Sequence, residues 1–195
     1  MPGAQTLYFR PDHPCNTRIT DALSGDLLYI VRTKVDATTK RTTTEVRKAA
    51  SAEVIAVFEW RDFRSDLLTF WSDEPIKASD WIKKSLIPFK ETVTFTKEPW
   101  KTFKWKNFAP ALSLELYDEG DKTTPLARFS KPAKVGSETM PASLEILPRA
   151  ASSSSETAES QESLRDRIVM SFLYLEKMRR GRDEDEFGPT SRPKN

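Results

Sequence analysis

The sequence predicts a mainly β fold: an antiparallel closed barrel of about twelve short strands around one buried hydrophobic helix near the C-terminus. Three observations carry this prediction. Short segments of alternating apolar and polar residues, separated by turn signals, recur from Thr6 to Leu147. The run Ile168 to Leu175 is apolar except for Ser171 and, wound as a helix, is apolar on every side, so it must be buried on every side. Between them lies a Ser-rich stretch, Pro148 to Glu162, with the composition of a flexible connection, giving the chain slack to turn back through the middle of a barrel.

Taken in order, Thr6 to Arg10 alternates, with Leu7 and Phe9 on one face. Pro11, Asp12, Pro14 and Asn16 make a turn-rich connector. A short strand over Arg18 to Thr20 and the Ser24-Gly25-Asp26 turn lead into LLYIVRT, Leu27 to Thr33, apolar on both faces and therefore central. Arg41 to Lys48 is β-branched but polar, as suits an exposed strand. Glu53 to Trp60 puts Val54, Ala56, Phe58 and Trp60 on one face, and Leu67 to Trp71 follows as the next strand. Ser79 to Lys84 reads as one helical turn capped by Ser79, laying Trp81 and Ile82 over the sheet. A second run of strands covers Thr92 to Thr96, Trp100 to Phe108, a strand sharing Leu112, Leu114 and Leu116 on one face, Pro125 to Ser130 and Ala142 to Leu147. Each half holds a meander before a longer break, which hints at duplication without enough identities to make a repeat. The final helix is expected over 163–180, with Ser163 and Asp166 approximating a capping box, Lys177, Arg179 and Arg180 at the end its dipole favours, and Gly181 as its stop. The competing local reading makes IVMSFLYL one more buried strand; the helix-forming flanks favour the helix. The expected organisation is therefore barrel strands over 1–147, a flexible linker over 148–162, the central helix of the same domain over 163–180, and a disordered tail over 181–195.

Composition narrows the function classes. A chain of 195 residues with 37% hydrophobic content can build one domain with a real core. Its net charge of +2, from 31 basic and 29 acidic residues, supplies no global field for nucleic acid, and none is expected as a partner. The lone Cys15 cannot form an internal disulfide, and the first residues have no apolar core of a secretory leader. The longest apolar run is far shorter than the ~20 residues a membrane-spanning helix needs. An intracellular, cytoplasmic protein without a transmembrane segment is the expectation. The single histidine, His13, sits in a proline-flanked loop with Asp12 and Cys15, too sparse a set for a catalytic pair or a zinc site. No glycine pattern cradles a phosphate, so no catalytic, metal or cofactor residues are assigned and no cofactor is expected.

The segments PDHPCNTRITD, LYIVRT, RTTTEVRK, VFEW, ASLEI and IVMSFLYLEKMRR, in this order, resemble a family of uncharacterised domains from mushroom-forming (basidiomycete) fungi, the domain of unknown function 6593 family. The resemblance spans about Leu7 to Arg180 and brings no established activity with it. The layout is also similar to the tubby and phospholipid-scramblase type of barrel, in architecture alone: no residue matches the tubby phosphoinositide site.

The surface feature singled out is TKEPWKTFKWKNF. As a strand it points Phe103 and Trp105 one way and Trp100, Lys104 and Lys106 the other, with Lys97 and Lys101 adding charge. Lysines with an exposed Trp could touch an anionic lipid headgroup; the same residues also suit an ordinary outer face kept soluble by charge. The leading expectation is a non-enzymatic binding domain for a phospholipid headgroup or other anion, and the alternative is a protein-interaction or structural domain with no small-molecule ligand.

Overall fold

The computed structural model describes residues 3–85, 92–97, 101–109, 112–148 and 158–186, with the backbone alone at 96, 97, 101, 135, 158–161 and 182–186. Trp100, most of the Ser-rich stretch and 187–195 lie outside the described residues.

The first half of the chain forms β1 (Gln5–Arg10), β2 (Thr17–Asp21), β3 (Leu27–Val35), β4 (Thr42–Lys48), β5 (Val54–Trp60), β6 (Leu67–Phe70) and β7 (Ile76–Lys77). One helical turn, α1 (Ala78–Trp81), leads to β8 (Ile82–Lys84), β9 (Val93–Lys97), β10 (Lys101–Lys106), β11 (Glu115–Asp118) and β12 (Ala127–Ser130). An exposed ribbon, β13 (Ala133–Val135) with β14 (Glu138–Met140), precedes β15 (Ala142–Ile146), and α2 (Ala158–Glu186) ends the described chain. Thirteen strands join one sheet in the order β7-β6-β5-β4-β3-β2-β1-β15-β12-β11-β10-β9-β8. Every neighbouring pair is antiparallel, and the two meanders meet where β1 pairs with β15, Leu7 opposite Leu144. The ribbon β13–β14 pairs only with itself among the described residues.

Strand alternation gives the sheet an apolar inner face. Leu7, Phe9, Ile19, Tyr29, Val31, Val46, Phe58, Leu68, Phe95, Phe103, Trp105, Phe129 and Leu144 are all buried. In β5 the alternation fails at Ile55. The ladder to β4 shifts register between Val46 and Arg47, so Ile55 is the extra residue of a bulge and is buried beside Ala56, while Val54 is only half-buried.

Against that face packs α2. Ile168, Val169, Met170, Phe172, Leu173, Tyr174 and Leu175 are buried around its whole circumference, as the composition requires. Phe172 meets Phe9 of β1, Trp105 of β10 and Phe129 of β12, with ring centroids 5.2, 6.2 and 4.7 Å away. On the other side Tyr174 stacks on Trp60 of β5 at 5.7 Å. Both halves of the sheet therefore touch the helix. The single polar residue of the apolar run, Ser171, accepts a hydrogen bond from Trp105 Nε1 (3.1 Å) and donates to the Ile168 carbonyl (3.1 Å), so no polar atom is left bare there.

The expected ring of hydrogen bonds is not closed: among the described residues no ladder joins β7 to β8. An odd number of antiparallel strands leaves the two edges running in the same direction. Closure would need a parallel ladder between strands of two and three residues joined by a four-residue turn, where parallel neighbours ordinarily need a crossover of a dozen residues or more. Side chains bridge the two edge regions instead. Trp81 of α1 packs against Phe70 of β6 (4.6 Å) and Phe95 of β9 (5.5 Å).

The helix runs past both ends of the span Ser163–Arg180. It starts at Ala158, inside the Ser-rich stretch, and continues through Gly181 to Glu186. Ser163 is therefore an interior helical residue, and Asp166, rather than closing a capping box, is buried and receives the Tyr29 hydroxyl at 2.5 Å. Ser79 likewise is not a cap: α1 starts one residue earlier, with Lys77 at its N-cap and no side-chain capping bond. Leu112 leaves the face shared by the buried Leu114 and Leu116 and is 48% exposed.

Candidate functional site

Strands β1, β2 and β3 turn Phe9, Ile19 and Val31 inward, so the residues between them must face out. Those residues are Arg10, Arg18 and Arg32, all exposed. Register brings them together: Arg10 lies directly opposite Arg18, Arg18 opposite Ile30, and Arg32 two residues along from Ile30. An open depression of about 440 Å³ lies over this part of the sheet, lined by Pro11, Asn16, Arg18, Ile30, Arg32 and Lys34 among others. Like charges directly opposite on neighbouring strands destabilise a sheet. Among the described residues, no carboxylate pairs with Arg10, Arg18 or Arg32. The nearby cations differ. Lys34 pairs with Glu45 at 3.2 Å, and Arg47 with the same carboxylate at 2.8 Å, which together hold Glu45 below the usual carboxylate range. Arg10 lies over the Tyr8 ring, 5.6 Å from its centroid. The result is a shallow concavity lined by the Arg18 and Arg32 guanidinium groups, with Glu45, opposite Arg32 on β4, taken up by Lys34 and Arg47, and it is able to hold a phosphate or carboxylate by paired hydrogen bonds.

The lysine-rich hairpin is placed differently from this cluster. Phe103 and Trp105 are buried and Lys104 and Lys106 alternate with them on the outer face of β10, as the spacing predicts. Lys106 is already engaged, lying 3.4 Å from the Tyr117 ring centroid and donating to the Lys122 carbonyl at 2.9 Å. Lys97 and Lys101 are cross-strand partners by backbone register; their side chains, and Trp100 altogether, lie outside the described residues. Of that set, only Lys104 and Lys106 can be placed on the surface, on β10, with five strands between it and β3 in the sheet order.

Two interior polar clusters tie the helix to the sheet. At one end, Tyr29 donates to Asp166 (2.5 Å), Arg165 Nε donates to the Tyr29 hydroxyl (2.9 Å), and Lys48 reaches Asp166 (3.0 Å) and Glu162 (2.8 Å). Burial, with the Asp166 carboxylate beside it, drives the Tyr29 phenol far above its ordinary range. At the other end, Arg179 and Glu176 form a buried ion pair at 2.6 Å and Arg179 Nη1 donates to the Leu112 carbonyl at 2.5 Å. Arg180 there binds Asp12 at 2.5 Å, and Lys177 lies over the Trp60 ring at 4.4 Å. These basic residues serve side-chain contacts rather than the helix terminus.

The His13 and Cys15 segment closes against the same end. His13 Nδ1 accepts the Cys15 backbone N–H at 3.1 Å, so the ring organises its own loop. Cys15 is buried, and burial raises its thiol pKa despite Thr44 and nearby cations, the opposite of what an attacking thiolate requires. Among the described residues no group of three or more His, Cys, Asp or Glu side chains is placed to hold a metal.

The arginine cluster is the part of the site that reading along the chain misses. Its members stand on three short strands, and each looks like the ordinary polar alternate of an apolar strand. Only the register between β1, β2 and β3 makes them neighbours.

No curated protein matches the chain, and no solved structure matches it. One family pattern does, over residues 12–181, which takes in most of the sheet and the buried part of α2. By that match, the chain belongs to the family of unknown function DUF6593.

Proposed function

We propose that this domain is a non-enzymatic binding module that recognises an anionic group, of the phosphate chemistry found in a phospholipid headgroup or in a free phosphate, on the outer face of β1–β3. The observation that carries the reading is that Arg18 and Arg32 line one open depression, with Arg10 directly opposite Arg18 on the next strand, and that none of the three has a carboxylate partner among the described residues. Guanidinium groups held on rigid strands lose little freedom when they grip a planar or tetrahedral oxyanion, so a phosphate is the ligand that suits them. The reading extends to architecture and origin: a tubby-like barrel whose edges are spanned by α1, in a protein of basidiomycete fungi. The contacts of Trp81 with Phe70 and Phe95 support the architectural part. An intracellular setting belongs to the same proposal, because anionic lipid headgroups concentrate on the cytoplasmic leaflet.

The test is titration calorimetry of the full chain with inorganic pyrophosphate at two salt concentrations. Binding that weakens with salt, and that falls about tenfold or more in Arg18→Gln/Arg32→Gln, is expected. Lys104→Gln/Lys106→Gln should leave it within a factor of about two, since Lys106 is already spent on Tyr117 and the Lys122 carbonyl. Unchanged affinity in the arginine variant would overturn the reading. Loss in the lysine variant alone would move the site to β10.

A further inference from the structure

We infer that the depression over β2 and β3 takes a soluble phosphate monoester joined directly to a flat apolar body, with Arg18 and Arg32 on the phosphate and Ile30 beneath the body. The inference rests on the anion-binding reading. It adds the class of ester, a contact for the organic part and a choice of solution over membrane as the source.

The depression is larger than a phosphate needs. It spans about 440 Å³, and pockets that hold whole organic molecules run about 300–1,000 Å³. One of its walls is fixed by hydrogen bonds between the β1–β2 connection and β3. Thr17 Oγ1 donates to the Pro11 carbonyl at 2.7 Å, Asn16 Oδ1 accepts the Thr33 N–H at 2.9 Å, and Thr33 Oγ1 donates to the Cys15 carbonyl at 2.8 Å. Those polar atoms already have partners, which leaves Pro11 and Ile30 as apolar lining beside the arginines.

Ile30 breaks the outward polar alternation expected of a solvated sheet face. It is half-buried, with Arg18 opposite it on β2 and Arg47 opposite it on β4. Arg47 is drawn away to Glu45 at 2.8 Å and to the Ala52 carbonyl at 3.3 Å. Lys34 turns to the same Glu45 at 3.2 Å, although Glu45 stands opposite Arg32. The β4 side is thus held to itself, and the apolar surface of Ile30 is left between Arg18 and Arg32.

Charge and spacing suit a monoester. Arg18 lies on the diagonal from Arg32, a cross-strand relation of about 7–8 Å that long side chains close, so both can reach one group between them. Neither has a carboxylate partner among the described residues. Two such cations match a monoester, which carries about −1.5 to −2 at pH 7, better than a diester with a single charge. Asp12, beside Pro11, is bound by Arg180, and the acidic run Asp183–Glu186 belongs to the helix that packs on the opposite face of the sheet. A flat ring suits the site further, because guanidinium planes stack on aromatic faces. A lipid keeps its apolar part in the bilayer, where it cannot lie on Ile30; a soluble ester can.

The experiment is a nuclear magnetic resonance titration of the isotope-labelled full chain with phenyl phosphate and with methyl phosphate, run beside the pyrophosphate calorimetry. Phenyl phosphate is expected to bind about tenfold more tightly than methyl phosphate, the effect of covering the ring and Ile30, and to move the amide signals of Arg18, Ile30 and Arg32. Ile30→Thr keeps the branching that the strand favours. It should bring phenyl phosphate down to the level of methyl phosphate and leave methyl phosphate and pyrophosphate within a factor of about two. Arg18→Gln/Arg32→Gln should lose both esters; retention of either overturns the placement. Equal affinity for the two esters in wild type, or a phenyl advantage that survives Ile30→Thr, overturns the inference and leaves the anion-binding reading standing. Phosphatidylcholine vesicles carrying phosphatidic acid present the same monoester at a bilayer and should displace phenyl phosphate no better than methyl phosphate does. Stronger displacement overturns the solution source. Loss of pyrophosphate binding from the outset would sink the anion-binding reading and this inference together.

Discussion

Replacing Phe172 by alanine tests whether the helix is the core of the molecule. The ring is 2% exposed and has three aromatic neighbours, Phe9, Trp105 and Phe129, contributed by strands from both meanders. Truncating a buried Phe costs about 3–5 kcal/mol when the site cannot collapse. Collapse is hindered here, because the neighbours are themselves large rings held on paired strands. Loss of the ring-to-ring geometry adds about 0.5–1.5 kcal/mol for each well-formed aromatic pair, so the upper part of the range is expected. Against a total stability of about 5–15 kcal/mol, that removes a large share of the margin. Equilibrium unfolding in urea reads it directly: with a slope of about 2 kcal/mol per molar, the midpoint should fall by about 2 M. Phe63→Ala is the matched comparison, since the same truncation at a wholly exposed ring should stay within about 0.5 kcal/mol. If the two variants unfold at the same urea concentration, with the same slope as wild type, the helix is not the centre of the fold.

Two further outcomes follow from buried polar groups. Burial raises the Tyr29 and Tyr174 phenols, with Asp166 and Asp66 adding to the effect, so the native state keeps protons that the unfolded state releases near pH 10. That contribution is fully present below about pH 10 and is lost as pH rises further; native protein should therefore show fewer ionised tyrosines at about pH 11 than denatured protein, by absorbance of the tyrosinate band, and full ionisation while the circular dichroism is still native would contradict the burial of both rings. Arg179→Met should destabilise by about 1.5–3 kcal/mol, because it takes one of two cations from the buried Glu176 and leaves it to Arg180 alone at 2.9 Å, whereas Arg179→Met/Glu176→Gln should recover part of the loss in the same urea assay; a double variant as weak as the single one would mean that the Leu112 carbonyl contact, not the ion pair, matters.

What was legible along the chain were the features set by period and composition. The apolar run from Ile168 to Leu175 demanded burial on all sides, and it is so buried. The alternation of Phe103 and Trp105 with Lys104 and Lys106 came through unchanged. Features set by pairing were not legible. Ile55 alternates like its neighbours in the sequence, and only its mismatch with β4 reveals the bulge. Asp166 has the spacing of a capping residue, but its role comes from Tyr29 and Lys48, more than a hundred residues away. The closed ring failed on parity: thirteen strands, each antiparallel to its neighbour, leave the edges β7 and β8 running the same way, and strands as short as these carry almost no periodic signal. The arginine cluster needed two registers at once, β1 with β2 and β2 with β3, whereas the lysine hairpin stood out because its charges lie close together in the chain.

The order of the chain has a consequence for how the protein is made. Every strand of the large sheet emerges from the ribosome before the segment that fills it, and the pairing of β1 with β15 joins residues about 140 apart. Nascent chain therefore carries an unfilled apolar trough, lined by side chains such as Phe9, Phe58 and Phe129, until Phe172 and its neighbours clear the exit tunnel. Synthesis at about 5–20 residues per second makes that interval a matter of seconds, during which chaperones that hold greasy surface have their substrate. A translation product stopped before Ile168 would keep that trough permanently open, and aggregation rather than a smaller folded protein is its natural fate.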